Sequence, residues 1–419
     1  MNKIKTAVTA VKKKIDLFTI KILLLRIFTV LLQVSFVKLL SQLFLPSEVS
    51  NFYRVAILVS FFQAFLFTPA EIAITSKAMR EVGIEKRLEF ADVTSMGMII
   101  PLIALAALSG SLFFASSYDW FQIFASVVFC STFYFLFQKR NILAASGVGF
   151  ASSKLSAIEP CLKVLSAIII FYCFKYMHME VGLGQIFLFS GTMLLAFTAI
   201  NQRFKIPLRN QKNLWNIEFL TLFLTIVVGA ALNWCQIQAP KLLFRTSSEL
   251  IELSKLGLIS GVGGSLCAAG LQLFHPFLIP LVYPNKDGAY NFPKFLGWTA
   301  CIFGAMILGI LVISPLLSKH IFASTYSNVT VLLISGATIE TGNFLLGSLS
   351  ASFLNRGVRR SVIIASSFVG PVIAWLLLFI IKRETTALWI SVVISFSQVA
   401  AVLAGLIFLR FVTFSNLKK

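Results

Sequence analysis

Charged residues are scarce in this sequence, and acidic ones are the scarcest. Only 12% of the 419 residues are charged, and 16 aspartates and glutamates stand against 36 lysines and arginines, which gives a formal net charge of +20. Hydrophobic residues make up 58% of the chain. A soluble protein of this length needs more polar sequence to cover its core. The composition therefore excludes a soluble protein and indicates a chain embedded in a bilayer.

Sequence patterns for metal binding, disulfides and catalysis are also lacking. The three histidines share no metal-ligand spacing, and the six cysteines are scattered through apolar segments without paired spacing. The glycine run at 261–264 lacks the Lys-Ser/Thr that completes a phosphate-binding loop. No nucleophile-and-base pattern is present. We therefore predict no enzymatic activity, no cofactor and no bound metal.

Long apolar runs dominate the chain. A membrane-spanning helix needs ~20 mostly apolar residues. The runs lie roughly at 17–40, 52–74, 94–115, 119–138, 155–174, 183–201, 217–238, 251–280, 295–317, 328–350, 361–381 and 387–410. They predict an all-α polytopic membrane protein with about 12 transmembrane helices. Residues 75–93 mix charged with apolar residues, which predicts a separate amphipathic helix on the cytoplasmic surface.

The basic residues outside these runs fall mostly on one side of the predicted topology. They include the lysines near the N-terminus, the lysines and arginines at 77–87, 139–154 and 203–212, and the last two residues of the sequence. Lysine and arginine accumulate in cytoplasmic loops of membrane proteins. The pattern therefore predicts that both termini are cytoplasmic, and it explains the net charge without nucleic acid.

A weak internal repeat suggests two halves of six helices, a common transporter plan. Residues 47–54 match residues 248–255, pairing Ser-Glu with Ser-Glu and Arg54 with Lys255. We expect an N-terminal lobe at 1–201, a cytoplasmic link at 202–216 and a C-terminal lobe at 217–419, arranged around a central cavity. Arg54 and Lys255 would then be pseudo-symmetric.

Cations lie within several of the apolar runs. A charge near the bilayer centre costs at least ~2.5–3.5 kcal/mol, so such residues are expected to face a cavity and an anion. These candidate substrate-binding cations are Arg26, Arg54, Lys255 and Lys163. Alternatives remain open, because Arg54 and Lys255 could reach the lipid headgroups, and both lysines follow a glutamate at helical spacing.

Polar stripes at helical spacing mark several runs, including one that ends at Gln398. They either line a wet cavity or hydrogen-bond to a neighbouring helix. The residues predicted to line the cavity are Gln33, Asn233, Gln236 and Asn343. Glu340 and Glu71 are carboxylates within apolar runs, which makes them candidates for proton or ion coupling. The alternative for Glu340 is a protonated carboxyl in a helix interface.

Three stretches carry a family resemblance. They are Leu43–Glu48 running into Tyr53-Arg54, Ala70–Ile74 before a charged link, and Gln238–Leu243 before Ser248-Glu249. With the topology, they resemble the Wzx-type O-antigen flippases of the polysaccharide transporter family, whose superfamily also holds the multidrug and toxic-compound extruders and the lipid II flippases. The resemblance implies two six-helix lobes around a cationic cavity. Lipid II flippases place arginines there from helices one, two and eight, where Arg26, Arg54 and Lys255 lie here.

The resemblance implies an inner-membrane flippase. It would carry an undecaprenyl-pyrophosphate-linked oligosaccharide of the O-antigen type to the periplasmic leaflet by alternating access, driven by an ion gradient. Its expected partners are this lipid, the bilayer and other polysaccharide assembly proteins. One alternative is a multidrug or cation antiporter of the same superfamily. A second is a membrane enzyme of polysaccharide assembly, either a polymerase or an acyltransferase.

Overall fold

The chain is built from helices. The computed structural model describes residues 17–146, 148–177, 182–200, 217–278, 281, 292–355, 360–380 and 385–416. Over these residues every regular element is a helix and no strand is present. The α-helices are α1 Leu17–Leu43, α2 Pro46–Phe62, α3 Thr68–Glu81, α4 Arg87–Phe114, α5 Trp120–Ala145, α6 Gly149–Met177, α7 Gln185–Ile200, α8 Ile217–Ile237, α9 Ser247–Leu278, α10 Phe292–His320, α11 Val329–Asn355, α12 Arg360–Ile380 and α13 Ala387–Asn416.

A π-helical turn, Gln63–Phe67, joins α2 to α3 without a break. Within the described residues the α-helices therefore form twelve rods, one for each predicted apolar run. Ten rods contain a stretch long and apolar enough to cross a membrane, and the other two contain the shorter apolar segments Gln185–Thr198 and Ser367–Ile380. The predicted fold class is confirmed.

The separate amphipathic helix predicted at 75–93 is wrong. The residues up to Glu81 continue α3, Ile84–Lys86 forms one 3₁₀ turn, and Arg87 already begins α4. The Arg87 Nε donates a hydrogen bond of 3.1 Å to the Val82 carbonyl just past the end of α3. The charged residues thus extend two membrane helices into the polar region, where the ends of helices can be satisfied by side chains.

The connections between helices define two faces of the bundle. We call the face with the α1–α2 connection the Leu45 face and the face with the α3–α4 connection the Gly83 face. At the Leu45 face, the end of α1 meets the end of α10, where the Ser41 hydroxyl donates to the Ile321 carbonyl at 2.6 Å. The predicted topology would make the Leu45 face periplasmic and the Gly83 face cytoplasmic.

Helix packing falls into two sets. In the first, α1 packs on α6, and α5 packs on α4, α6 and α7; in the second, α9 packs on α11, α11 on α13, and α12 on α8 and α13. The two sets meet where α1 and α2 contact α9 and where α3 contacts α8. The lobe boundaries remain a prediction, and the link at 202–216 lies outside the described residues.

The two sets pack by different means. Fully buried aromatic rings fill the first set, including Phe129, Phe133 and Tyr134 of α5. In the second set, α9 and α11 approach through glycine. A Cβ built on Gly263 would lie 1.9 Å from the Leu333 carbonyl oxygen, and one on Gly336 would lie 1.9 Å from that of Ser260. Only a residue without a side chain allows this contact.

Candidate functional site

The repeated Ser-Glu motif caps two helices. In α2, the Glu48 carboxylate accepts a hydrogen bond of 2.7 Å from the backbone N–H of Leu45. In α9, the Glu249 carboxylate accepts from the backbone N–H groups of Thr246 at 2.8 Å and Arg245 at 2.9 Å. Such contacts satisfy N–H groups that a helix start leaves unpaired. The repeat therefore fixes the same helix start in both halves.

Arg54 lies two turns into α2 and reaches the α4–α5 connection at the Leu45 face. Its guanidinium donates to the Ser117 carbonyl and lies 5.1 Å over the centroid of the Tyr118 ring. Burial raises the pKa of Tyr118 to about 12, so the ring is neutral at physiological pH. Both partner groups can interact favourably with a cation, but neither group carries a full negative charge. The charge of Arg54 is therefore not cancelled by these partners.

Lys255 occupies the equivalent position in α9 and is paired. Its ammonium lies 2.5 Å from the Glu252 Oε1. The other oxygen, Glu252 Oε2, accepts a hydrogen bond of 2.9 Å from the backbone N–H of Ala387 at the start of α13. The predicted intrahelical alternative is therefore present, and it ties α9 to α13. No described contact joins Lys255 to Arg54.

The other two cations lie on α6 and α1. Lys163 lies 2.6 Å from Glu159 and within 5.3 and 5.4 Å of the Phe129 and Phe187 ring centroids, inside the first set of helices. Arg26 lies on α1, partly exposed. On the same helix, Gln33 is also partly exposed. Lys163 is therefore neutralised within its own helix, while Arg26 stays a candidate.

The polar stripes of the second set meet at Gln398. This side chain is fully buried on α13, and its amide nitrogen donates to Asn343 at 3.2 Å and to Asn233 at 3.4 Å. Gln236 is buried elsewhere and donates to Ser397 at 3.0 Å. Asn233 alone among these four is exposed. Gln236 thus packs between helices, whereas Asn233 can face a cavity.

Glu340 lies one turn before Asn343 on α11. It is partly buried, and its Cβ lies 3.9 Å from the position that a Cβ on Gly264 of α9 would occupy. The carboxyl is therefore held near the close α9–α11 contact, beside the Gln398 group. This placement is compatible with both predicted roles, ion coupling and an interface carboxyl.

A cavity of about 700 Å³ lies in the first set of helices, toward the Gly83 face. It is lined by α3, the π-helical turn, α5 and α6. The lining residues are Gln63, Thr68, Glu71, Ile72, Thr75, Ser76, Phe137, Arg140, Asn141 and Glu159. None of the three cations Arg26, Arg54 and Lys255 belongs to this lining.

Glu71 is the most deeply placed charged group of the cavity. Only 3% of the residue is exposed, and its Oε2 accepts a hydrogen bond of 3.2 Å from the Asn141 amide. The buried Oε1 has no hydrogen-bond partner among the described residues. Arg140 lies 4.8 Å over the centroid of the Phe137 ring on the cavity wall. The site thus combines one carboxylate acceptor with one guanidinium donor.

The residues predicted from the sequence include Glu71 but not Arg140 and Asn141, which line the same cavity. Both lie near the end of α5, where a basic residue has the same pattern as a topology signal. The helical spacing of Gln138 and Asn141 was the one available clue, because Gln138 hydrogen-bonds to Thr75 at 3.1 Å on the same α3 surface as Glu71. Which neighbour they meet depends on tertiary packing.

The fold is similar to solved transporters at low sequence identity. A structure of the lipid II flippase MurJ, inward closed, gives a TM-score of 0.60 at 15% identity over 94% of this chain and 87% of that one. An outward-facing multidrug resistance MATE family transporter of the MOP superfamily gives 0.54 at 12% identity over 96% of each chain. At these identities the likeness shows the fold.

A third structure is a MOP superfamily transporter from Pyrococcus furiosus, described as having a binding pocket of reversed polarity. It gives a TM-score of 0.53 at 13% identity over 96% of each chain. No family model matches the sequence, and no curated protein matches it. Since one fold carries pockets of different polarity, the fold by itself does not define a ligand for this chain.

Proposed function

We propose that the protein is a flippase for an undecaprenyl-pyrophosphate-linked oligosaccharide of the O-antigen type. The observation that carries the proposal is Arg54, whose described partners are a carbonyl and a neutral ring. A cation placed in a membrane helix without charge compensation is costly unless an anion joins it. The likeness of the fold to that of a lipid II flippase supports a lipid-linked anion.

Pyrophosphate suits such a cation well. Arginine can form two parallel charge-assisted hydrogen bonds to phosphate oxygens, which offset part of the desolvation. Arg26 on α1 is the second candidate ligand. Lys255 and Lys163 contribute less, because Glu252 and Glu159 already neutralise them. We therefore rank Arg54 above the two lysines, and Arg26 stays a candidate by its place on α1.

Alternating access would operate where the two sets of helices meet. The Trp234 indole of α8 donates a hydrogen bond of 3.0 Å to the Ser60 hydroxyl of α2. The centroid of its ring lies 5.3 Å from that of Phe61. These contacts would break and reform as the halves rock, while the polyprenyl tail stays in lipid. The protein would lie in a bacterial inner membrane with its Gly83 face cytoplasmic.

An ion gradient would supply the energy. Glu340 and Glu71 are the candidate coupling groups, one in each set of helices. A Glu340→Gln variant should flip lipid in both directions at equal rates and lose gradient-driven accumulation. The measurement is transport into vesicles with and without an imposed proton or sodium gradient. Unchanged accumulation would exclude Glu340.

A multidrug or cation antiporter is the second candidate. It is favoured by Glu71, a buried carboxylate with an unpartnered oxygen on a cavity wall. The pairing of both lysines also removes much of the apparent excess of cations in the apolar runs. The polymerase or acyltransferase alternative has no observation in its favour.

The experiment that separates these candidates uses the full chain in proteoliposomes. A fluorescent undecaprenyl-pyrophosphate-linked oligosaccharide is placed in both leaflets, and a membrane-impermeant quencher reports exchange. We expect flipping that falls at least about tenfold in Arg54→Ala, from the loss of a charge-assisted pair. Ethidium efflux without lipid exchange would instead identify an antiporter. Lipid exchange that is unchanged in well-folded Arg54→Ala would remove Arg54 from the site.

A further inference from the structure

The described contacts of Arg54 use few of its hydrogen-bond donors. A guanidinium has five N–H donors. The Nη2 group donates to the Ser117 carbonyl, and the guanidinium carbon lies 5.1 Å over the centroid of the Tyr118 ring. The attraction between a cation and a ring needs no hydrogen-bond acceptor. Within these contacts Arg54 therefore keeps N–H donors for an incoming anion.

The two partners of Arg54 belong to one tight connection between α4 and α5. The backbone N–H groups of Ser117 and Tyr118 both donate to the Phe114 carbonyl at 2.9 Å. Only 6% of Tyr118 is exposed, and its ring meets the Phe114 ring edge to face with centroids 5.6 Å apart. The carbonyl and the ring are thus held by packing and by backbone hydrogen bonds, so they can restrain the arginine side chain.

A second contact, one turn earlier on α2, joins this helix to the start of α5. The Asn51 Oδ1 accepts a hydrogen bond of 2.8 Å from the Gln122 side chain. The backbone N–H of Gln122 donates at 2.7 Å to Asp119, the exposed residue that caps α5. Among the described residues no ion pair joins Asp119 to Arg54. The arginine is therefore positioned on both sides by contacts that leave its charge in place.

We infer that Tyr118 is a positioning residue, which holds the Arg54 guanidinium in place for the pyrophosphate without cancelling its charge. The inference rests on the proposed function, in which Arg54 binds that pyrophosphate. In the second half, Glu252 holds Lys255 at 2.5 Å but also neutralises it. A neutral partner restrains the side chain before the anion arrives, which lowers the conformational entropy lost on binding and leaves the positive charge to attract the anion.

The test measures flipping rates of the full chain in proteoliposomes at increasing mole fractions of the fluorescent undecaprenyl-pyrophosphate-linked oligosaccharide. These rates give an apparent KM and kcat. Tyr118→Leu removes the ring and should raise KM about fivefold, as expected for a lost cation–π contact, with kcat nearly unchanged. Tyr118→Phe keeps the ring and should retain the wild-type KM. The matched control is Tyr172→Leu, which removes an exposed tyrosine of α6 and should change neither constant.

A second comparison separates positioning from a purely structural role. When Arg54→Ala is already present, Tyr118→Leu should cause no further rise in KM, because the ring has no guanidinium left to hold. A similar rise with and without Arg54 would overturn the inference. Gln122→Leu releases Asn51 from α5 and should raise KM by a smaller factor. If Tyr118→Leu does not fold, an unchanged KM in Gln122→Leu overturns the inference instead.

The remaining outcomes separate the inference from the proposed function. A wild-type KM in well-folded Tyr118→Leu would overturn the inference and leave the flippase proposal standing. A KM in Tyr118→Phe as high as that in Tyr118→Leu would also overturn it, because the hydroxyl rather than the ring would then be required. A wild-type protein that does not flip the lipid would overturn the proposed function, and the inference with it.

Discussion

The second helices of the two halves, α2 and α9, start alike but differ in the partner of the next cation, which is Arg54 in α2 and Lys255 in α9. Three residues before the cation, α2 has Asn51 and α9 has Glu252. Asn51 accepts a hydrogen bond of 2.8 Å from Gln122 and leaves Arg54 without a carboxylate one turn away. Glu252 pairs with Lys255 at 2.5 Å. A repeated position thus carries a net charge in one half and none in the other.

A second contrast concerns what holds each half together. The first set of helices is filled by aromatic rings, such as Phe129 stacked on Phe133 with centroids 4.3 Å apart. The second set has backbone-to-backbone contact at Gly263 and Gly336. A ring can shift within a packed interior, but a glycine contact has no side chain to adjust. The second half is therefore the more sensitive to added volume.

The largest expected effect comes from breaking the glycine contact. Gly336→Ala would place a Cβ 1.9 Å from the Ser260 carbonyl oxygen, so α9 and α11 would have to separate. We expect loss of folded protein, measured as the monodisperse fraction in size-exclusion chromatography. Gly347→Ala on the same helix meets nothing within 4 Å and is the control. Equal yields of both variants would show that the α9–α11 contact tolerates added volume.

The next effect tests the charge difference directly. Asn51→Glu places a carboxylate three residues before Arg54, as Glu252 stands before Lys255, so the first half would acquire the second half's ion pair. We expect lipid flipping to fall about tenfold, as in Arg54→Ala, because the pyrophosphate loses its uncompensated cation. Asn51→Gln is the neutral control of the same length. Full transport by Asn51→Glu would mean that the charge of Arg54 is not used.

Much of the fold could be predicted from the sequence, because a helix that crosses a bilayer must be apolar over most of its length, and ten of the twelve rods contain such a stretch among the described residues. All twelve runs appear as helices among the described residues. Their ends were less predictable. The α2 helix begins at Pro46, six residues before the predicted start, where the Glu48 carboxylate caps it by accepting from the N–H of Leu45. The apolar pattern does not predict helix ends that are set by such polar caps.

The candidate site was predictable only where partners share a helix. The Glu159–Lys163 and Glu252–Lys255 pairs follow from spacing alone. The meeting of Gln398 with Asn233 and Asn343 joins three helices, so it depends on their rotation and packing. The cavity at Glu71 and Arg140 depends on the same packing. A single sequence gives the polar faces but not which of them meet.

A moderate effect is expected when the second half is made like the first. Glu252→Asn removes the partner of Lys255 and the acceptor of the Ala387 N–H. Because the pair is partly exposed, we expect a loss of unfolding free energy of about 1–3 kcal/mol, measured by thermal unfolding in detergent.

The control for this change is the double variant Glu252→Asn/Lys255→Met, which removes the unpaired charge and should recover part of the loss. A double variant no more stable than Glu252→Asn alone would place the whole cost on the lost Ala387 contact. In either case transport should change less than in Asn51→Glu, because Lys255 is not a principal ligand.

The smallest effect concerns Lys241. This residue corresponds to Leu40 of the first half, because Lys241 lies eight residues before Glu249 and the fully buried Leu40 lies eight residues before Glu48. Burial lowers the pKa of Lys241 from 10.5 to about 8. Below pH 8 the lysine is charged in both folded and unfolded states, and the folded state bears the cost of burying the charge. Between pH 8 and 10.5 the folded state loses its proton first, so stability rises with pH across this window.

Lys241→Leu restores the residue of the first half and removes this cost. We expect a gain on the order of 1–2 kcal/mol at pH 7, less than the full shift implies because the side chain is partly exposed. The gain should shrink toward zero as the pH rises from 8 to 10.5, which thermal unfolding at several pH values would follow. Lys38→Leu replaces an exposed lysine of α1 and should show no such trend. A gain for Lys241→Leu that is constant across this range would mean that added apolar packing, rather than relief of a buried charge, stabilises the variant.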